Sequence, residues 1–254
     1  MTNEIILSVK NLTKKYDRLT AVDGISFDVF KGEIFGLLGP NGAGKTTTLE
    51  IMETLRNKTD GEVYIDGFSV DKDQNEIKKI IGVQLQSAGY YPNLHLDELI
   101  ELFSGMYNVK TDPAEMLKVV DLKEKAKAKY KDLSGGQKQR FSICTTLINN
   151  PKIIFLDEPT TGLDPQARRN LWELIKQIRK SGTTVMLTTH YMDEAEVLCD
   201  RVGIIDKGKI IIIDTPDNLI DELISKGFER SKQIKSASLE DVFLNLTGHE
   251  LRDE

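Results

Sequence analysis

The run Gly39-Pro40-Asn41-Gly42-Ala43-Gly44-Lys45-Thr46, followed by Thr47, has the spacing G-x-x-x-x-G-K-[ST]. Glycines in such a run let successive backbone N–H groups turn inward around a phosphate. Lys45 supplies a cation for the β and γ oxygens of a nucleotide, and the Thr46 hydroxyl is a ligand for Mg²⁺. A helix starting after the loop adds a favourable field for the anion. A second chemical run, Ile153-Ile154-Phe155-Leu156-Asp157-Glu158, is a buried-strand pattern ending in two carboxylates. A strand end delivers such groups to the carboxyl edge of a sheet, where a phosphate loop also opens. Asp157 is then expected to hold Mg²⁺ and Glu158 to act as general base on the attacking water.

Between these two runs stands Leu133-Ser134-Gly135-Gly136-Gln137. Small residues leading into a helix expose backbone N–H groups at its start, a second anion site. Here the chain resembles the ABC ATPase family, whose signature this is. The resemblance covers about residues 5–225 and implies that Ser134 and Gly136, with Gly135 and Gln137, face the γ-phosphate of ATP held by a partner subunit. It also assigns Tyr16 as the aromatic that stacks on adenine and Gln86 as the glutamine that touches Mg²⁺ and water. Asp164 falls in the loop that crosses the dimer interface, and His190 is the histidine that contacts the γ-phosphate. Gln84 competes with Gln86, and the family spacing after Ile81-Gly82 favours Gln86.

These groups need a scaffold. Strands are expected at Ile5–Leu12, Ser26–Phe30, Glu33–Leu38, Glu62–Ile65, Ile80–Leu85, Lys152–Leu156 and Thr183–Thr189, with a hairpin at 202–214 turning on Lys207-Gly208. Helices are expected at 46–55, across the stretch where Leu94, Leu96, Leu99, Ile100, Leu102 and Phe103 recur at helical spacing, and at 113–120, 136–147, 165–180, 216–225 and 239–246, the last capped by Ser238. Strands alternating with helices imply a parallel sheet. With the resemblance, the expected fold is α/β: a P-loop (RecA-like) core with a mixed sheet, an N-terminal antiparallel β layer and an inserted α-helical subdomain. Residues 1–225 would form the ATPase domain, with its core at 1–86 and 151–215 and the helical subdomain at about 87–150. A short helical tail would occupy 226–254.

The 254 residues are 39% hydrophobic and 29% charged, with a formal net charge of -6, a balance that counts against nucleic acid as a partner. Cys144 and Cys199 form no metal or disulfide pattern and read as small apolar residues. The N-terminus lacks a signal-peptide pattern, and the apolar run Ile210–Ile213 is far below the ~20 residues that span a bilayer. The chain is therefore expected to lack its own transmembrane segment and to be soluble. The basic stretch Lys123–Lys131 reads as a solvated helical face.

The resemblance implies ATP and Mg²⁺ as cofactors, a second ATPase subunit as partner (a homodimer by default) and a separate membrane permease. The permease would insert a short helix near Gln86 and Tyr90–Leu94. The expected location is the cytoplasmic face of the cell membrane. Thr188–Glu196 and the tail Ser238–Gly248 resemble the ABC-2-type exporters of the drug-resistance and sodium-extrusion subfamilies. An importer ATPase subunit, and a soluble ABC ATPase acting on ribosomes or DNA, stand as alternatives.

Overall fold

A computed structural model describes residues 4–84, 89–228 and 239–247. Two long strands, β1 (Ile5–Tyr16) and β2 (Leu19–Phe30), form an antiparallel hairpin; β3 (Ile34–Leu38) then leads into the phosphate loop and α1 (Lys45–Met52). Next come β4 (Asp60–Ile65), β5 (Phe68–Ser69), α2 (Gln74–Ile80) and β6 (Ile81–Gln84). Three helices follow, α3 (Leu96–Tyr107), α4 (Pro113–Val119) and α5 (Gly135–Thr146). The chain returns through β7 (Ile153–Asp157), α6 (Pro165–Lys180), β8 (Thr184–Thr189) and α7 (Met192–Leu198). It finishes with β9 (Arg201–Asp206), β10 (Lys209–Asp214), α8 (Pro216–Ser225) and α9 (Leu239–Thr247).

The strands make two sheets. One is antiparallel with order β2-β1-β4-β5, and the other has order β10-β9-β3-β8-β7-β6. In the second sheet all pairs are parallel except β9 with β10, so it is mixed. Every residue of β3, β7 and β8 is buried, as continuous apolar strands require when both faces are covered. One apolar layer, with Val9, Phe27, Val63, Phe35 and Leu49, fills the space between the two sheets and α1, where Phe27 and Phe35 stack with centroids 5.3 Å apart. The other layer joins Leu38, Ile154 and Leu156 to Leu99 of α3, Leu117 of α4, Phe141 of α5 and Val242 of α9.

Local chemistry accounts for the elements that carry the site. In α6, Leu171, Leu174, Ile175 and Ile178 recur at i, i+3, i+4 and i+7 and are buried, while Asp164 caps the start and Pro165 opens the first turn. The hairpin β9–β10 turns on Lys207 and Gly208, both at positive φ (46° and 78°), a two-residue turn whose twist matches the strands.

Several elements differ from expectation. The strands β1 and β2 each run to 12 residues, because cross-strand pairing carries Lys14, Lys15 and Tyr16 into the ladder. The helices α2 and α7, too short to show helical periodicity, were not anticipated. The first helix stops at Met52 rather than Leu55, where Thr54 turns left-handed at φ 61°. Lys123–Lys131 is not a helical face: only the short 3₁₀ turns Lys123–Lys125 and Tyr130–Asp132 form. Between them the backbone lies against Leu94–Asp97, and the carbonyls of Ala128 and Ala126 accept from Leu96 and Asp97 N–H. Those are orphan donors at the start of α3, and satisfying them outweighs the helix propensity of the lysine run. Ser238, expected to cap α9, lies outside the described residues.

Glu53, which caps the end of α1, is 4% exposed and its Oε1 has no hydrogen-bond partner. Burial, with the nearby charges of Asp157 and Glu50, pushes its carboxyl up to about 8. The folded chain therefore holds a proton that the unfolded chain releases near pH 4.5, and stability falls as pH rises from there towards 8. Glu53→Gln is expected to stabilise the chain by on the order of 3 kcal/mol at pH 7 and hardly at all at about pH 4.5. Chemical denaturation of both proteins across this range checks it; an equal difference at both ends would show that Glu53 ionises normally.

Candidate nucleotide site

The carboxyl ends of β3, β8, β7 and β6 lie side by side, and the site is built on them. After β3, Gly39 N–H donates to the Thr189 carbonyl (3.2 Å). A Cβ on Gly39 would stand 2.2 Å from the Ile205 carbonyl oxygen, so no other residue fits there. Gly44, at φ 102° against the Ala21 carbonyl, opens α1. Gly42 and Asn41 lie at the open tip, and Ala43 is buried, its carbonyl accepting from Gly208 N–H. Thr47 is half-buried beside Thr48, whose hydroxyl donates to the Gly44 carbonyl.

Lys45 is 4% exposed. Its Nζ donates to the Gly39 carbonyl (2.9 Å) and the Pro40 carbonyl (3.0 Å), and lies 3.4 Å from Glu158 Oε1. Burial lowers the Lys45 ammonium from its ordinary range, against the pull of Glu158. The Thr46 hydroxyl donates to Asp157 Oδ2 at 3.0 Å. Burial raises the Asp157 carboxyl, helped by the Glu158 charge and opposed by hydrogen bonds from Thr188 and Thr46.

Glu158 occupies the left-handed region at φ 47°, which is strained for a residue with a Cβ. Its N–H is held by the Thr188 carbonyl (3.2 Å) and hydroxyl (3.1 Å). The Thr161 hydroxyl donates to Oε2 (3.2 Å), and His190 Nδ1 lies 3.1 Å from the same oxygen. Burial raises the Glu158 carboxyl, but the Lys45 charge, with His190 and the Thr161 hydroxyl beside it, outweighs burial and the group sits below its ordinary value. Glu158 is thus kept ionised.

At the start of α5, Ser134 and Gln137 form a reciprocal cap: Gln137 N–H donates to Ser134 Oγ (3.3 Å) and Ser134 N–H to Gln137 Oε1 (3.0 Å). Gly135 and Gly136 face a cavity of about 450 Å³ shared with Gly162, Asp164 and Asn170. A Cβ on Gly136 would meet Ala167 at 3.0 Å, so the glycine lets α5 approach α6. One Asp164 oxygen caps α6, accepting from Gln166 N–H (2.9 Å) and Ala167 N–H (2.8 Å).

The structure thus gathers Gly39–Thr47, Asp157, Glu158 and His190 in one place, and Ser134–Gln137 with Asp164 in another. Tyr16 ends β1, half-buried between Lys14 (4.9 Å from its ring) and Arg56 (5.5 Å); the following strand touches Gly44 at Ala21. Gln86 lies outside the described residues. Gln84, its competitor, is 3% exposed at the end of β6, and its Oε1 has no hydrogen-bond partner. Thr188 escaped sequence reasoning, although its hydroxyl donates to Asp157 Oδ1 and receives Glu158 N–H. Its signal was the pair Thr188-Thr189 following the apolar run Val185-Met186-Leu187.

Among the described residues no group of three or more His, Cys, Asp or Glu could hold a metal. The oxygens of Thr46 and Asp157 do converge, and Mg²⁺ takes one or two such protein ligands alongside phosphates and water.

The profile of the ABC transporter family matches residues 22–161. The linearmycin resistance ATP-binding protein LnrL of Bacillus subtilis is 40% identical over 244 residues, 94% of this chain and 78% of LnrL. The Nod factor export ATP-binding protein I of Ralstonia nicotianae is 40% identical over 220 residues, 85% of this chain and 68% of that protein. Among solved structures, a dimeric post-hydrolysis state of an ATP-binding cassette bound to ADP and Pi superposes with TM-score 0.73 at 31% identity, covering 82% of this chain and 98% of that one. The ATP-binding subunit of an ABC transporter superposes with TM-score 0.81 at 26% identity, covering 95% and 99%.

Proposed function

The chain belongs to the ABC transporter family as an ATP-hydrolysing subunit of exporter type, and from that premise we propose that two copies close head to tail around two Mg-ATP. Each ATP would lie on Lys45, Thr46 and Tyr16 of one copy and meet Ser134 and Gly136 of the other. One observation carries this reading: the chain has two separate helix starts suited to anions, at α1 and α5, but one phosphate loop. A structural relative is itself dimeric and bound to ADP and Pi.

In the loaded site, phosphate oxygens would replace the Gly39 and Pro40 carbonyls as acceptors for Lys45. Thr46 and Asp157, with Gln86, would hold Mg²⁺, which neutralises charge on the β and γ oxygens when bound. Glu158 would take a proton from the attacking water, and His190 would contact the γ-phosphate. Closure would push on a separate membrane permease at the cytoplasmic face of the cell membrane; no helix among the described residues is long and apolar enough to cross one. Tyr90, expected to meet the permease, packs inward with its hydroxyl 2.8 Å from Thr145, whereas Tyr91 is 63% exposed and free to make that contact.

Ser134→Arg is expected to abolish hydrolysis, by at least about 10²-fold, while a fluorescent ATP analogue still binds the phosphate loop with unchanged affinity. A variant that hydrolyses normally would refute the shared site.

A further inference from the structure

His190 is not held by its own strand alone. Its ring centroid lies 4.0 Å from that of Tyr191, at 42°. The guanidinium carbon of Arg168, in the first turn of α6, lies 4.5 Å from the centre of the Tyr191 ring. Arg168 Nη1 also pairs with Asp193 of α7 at 3.1 Å. Its Nε is buried with no hydrogen-bond partner. A guanidinium accepts that state where its flat face makes the contact, in the way that arginine packs on aromatic rings.

The backbone joins the same residue to the shared cavity. Arg168 N–H donates to the Asp164 carbonyl (2.9 Å), and Asp164 caps α6. One turn further along, Trp172 Nε1 donates to Glu194 Oε1 (3.2 Å), and Glu194 is fully buried in α7. The helices α6 and α7 are therefore braced twice, and Arg168, in the brace nearer the site, also lies over Tyr191, whose ring adjoins the His190 ring beside Glu158.

We propose that Arg168, acting through Tyr191, is a positioning residue for hydrolysis: it holds the His190 ring against Glu158 and links that position to the loop Gly162–Asp164. Arg168 makes no hydrogen bond or ion pair to Glu158 or the phosphate loop. The proposal rests on His190 serving the γ-phosphate, as read above. It adds that the loop lining the partner-facing cavity and the histidine beside Glu158 move as one body through α6.

The experiment compares full-length Arg168→Met, Arg168→Lys, Tyr191→Leu and the double variant Arg168→Met/Tyr191→Leu, with His190→Ala alongside. The kcat is expected to fall about ten- to a hundredfold in Arg168→Met and in Tyr191→Leu, with KM for ATP and nucleotide affinity unchanged, because a misplaced group costs rate rather than binding. Arg168→Lys keeps the charge and loses the flat face, so it is expected to behave like Arg168→Met. The double variant is expected to be no slower than the slower single, since both changes break one link. The ring protons of His190, one of three histidines, are expected to shift in both single variants. Losses that multiply in the double variant, or normal turnover in Tyr191→Leu while His190→Ala is inactive, would overturn the link and leave the site intact. Normal turnover in His190→Ala would instead overturn the reading of the site. Should Arg168→Met not fold, Tyr191→Leu and Arg168→Lys decide the same question.

Discussion

Glu158→Gln is expected to bind ATP normally and to hydrolyse it about 10²–10⁴-fold more slowly, the loss of a general base. The substitution is close to isosteric. The new amide oxygen would still accept from Thr161, and the backbone at this position would keep its two contacts to Thr188. The left-handed conformation there, φ 47°, is equally strained for either residue, so folding stability should change little. What disappears is the carboxylate charge that faces Lys45. With its removal step blocked, ATP should act as a lasting bridge, and the variant should elute as a dimer in Mg-ATP and as a monomer without it. Phosphate release and size-exclusion chromatography on one preparation check both halves. Unchanged turnover would remove Glu158 from the chemistry.

Lys45→Ala is expected to fail one step earlier. The ammonium is the cation at the head of the phosphate loop, and it sits 3.4 Å from Glu158 with Asp157 nearby. Without it, the triphosphate would arrive at two carboxylates with no counter-charge from the loop. The loss of one such contact costs about 10²–10³-fold. Here the loss should appear in nucleotide affinity as well as in rate, unlike that of Glu158→Gln. Equilibrium titration with a fluorescent ATP analogue separates the two variants; a Lys45→Ala chain that binds ATP as tightly as the parent would show that the backbone N–H groups alone hold the phosphates.

Much of this site was legible because its chemistry is local in sequence. A phosphate loop is one turn between a strand and a helix, so Gly39–Thr46 carries its own geometry, and Ile153–Glu158 announces both a buried strand and its polar end. The capping of α5 by Ser134 and Gln137 is likewise a device confined to one turn. What escaped was non-local or too short. Thr188 matters because β8 lies between β3 and β7, and strand order is not written in any window of sequence. Arg168 and Tyr191 meet only when α6 and α7 pack, and α7 has seven residues, too few to show a period. Lys123–Lys131 misled because its composition favours helix, while the open N–H groups of α3 it satisfies lie about 30 residues upstream. In contrast α6, with sixteen residues, a cap and a clear apolar stripe, was read with its bounds correct.

The central claim is that each working pocket is assembled from two copies, and trans-complementation tests it most directly. Lys45→Ala lacks a phosphate-loop cation but keeps its Ser134 face; Ser134→Arg is the reverse. Each alone should be inactive. Mixed in equal amounts, they should regain hydrolysis, because one of the two pockets in a mixed pair combines an intact Lys45 with an intact Ser134. A mixture as inactive as its components, under conditions where the two chains are shown to associate, would contradict the account.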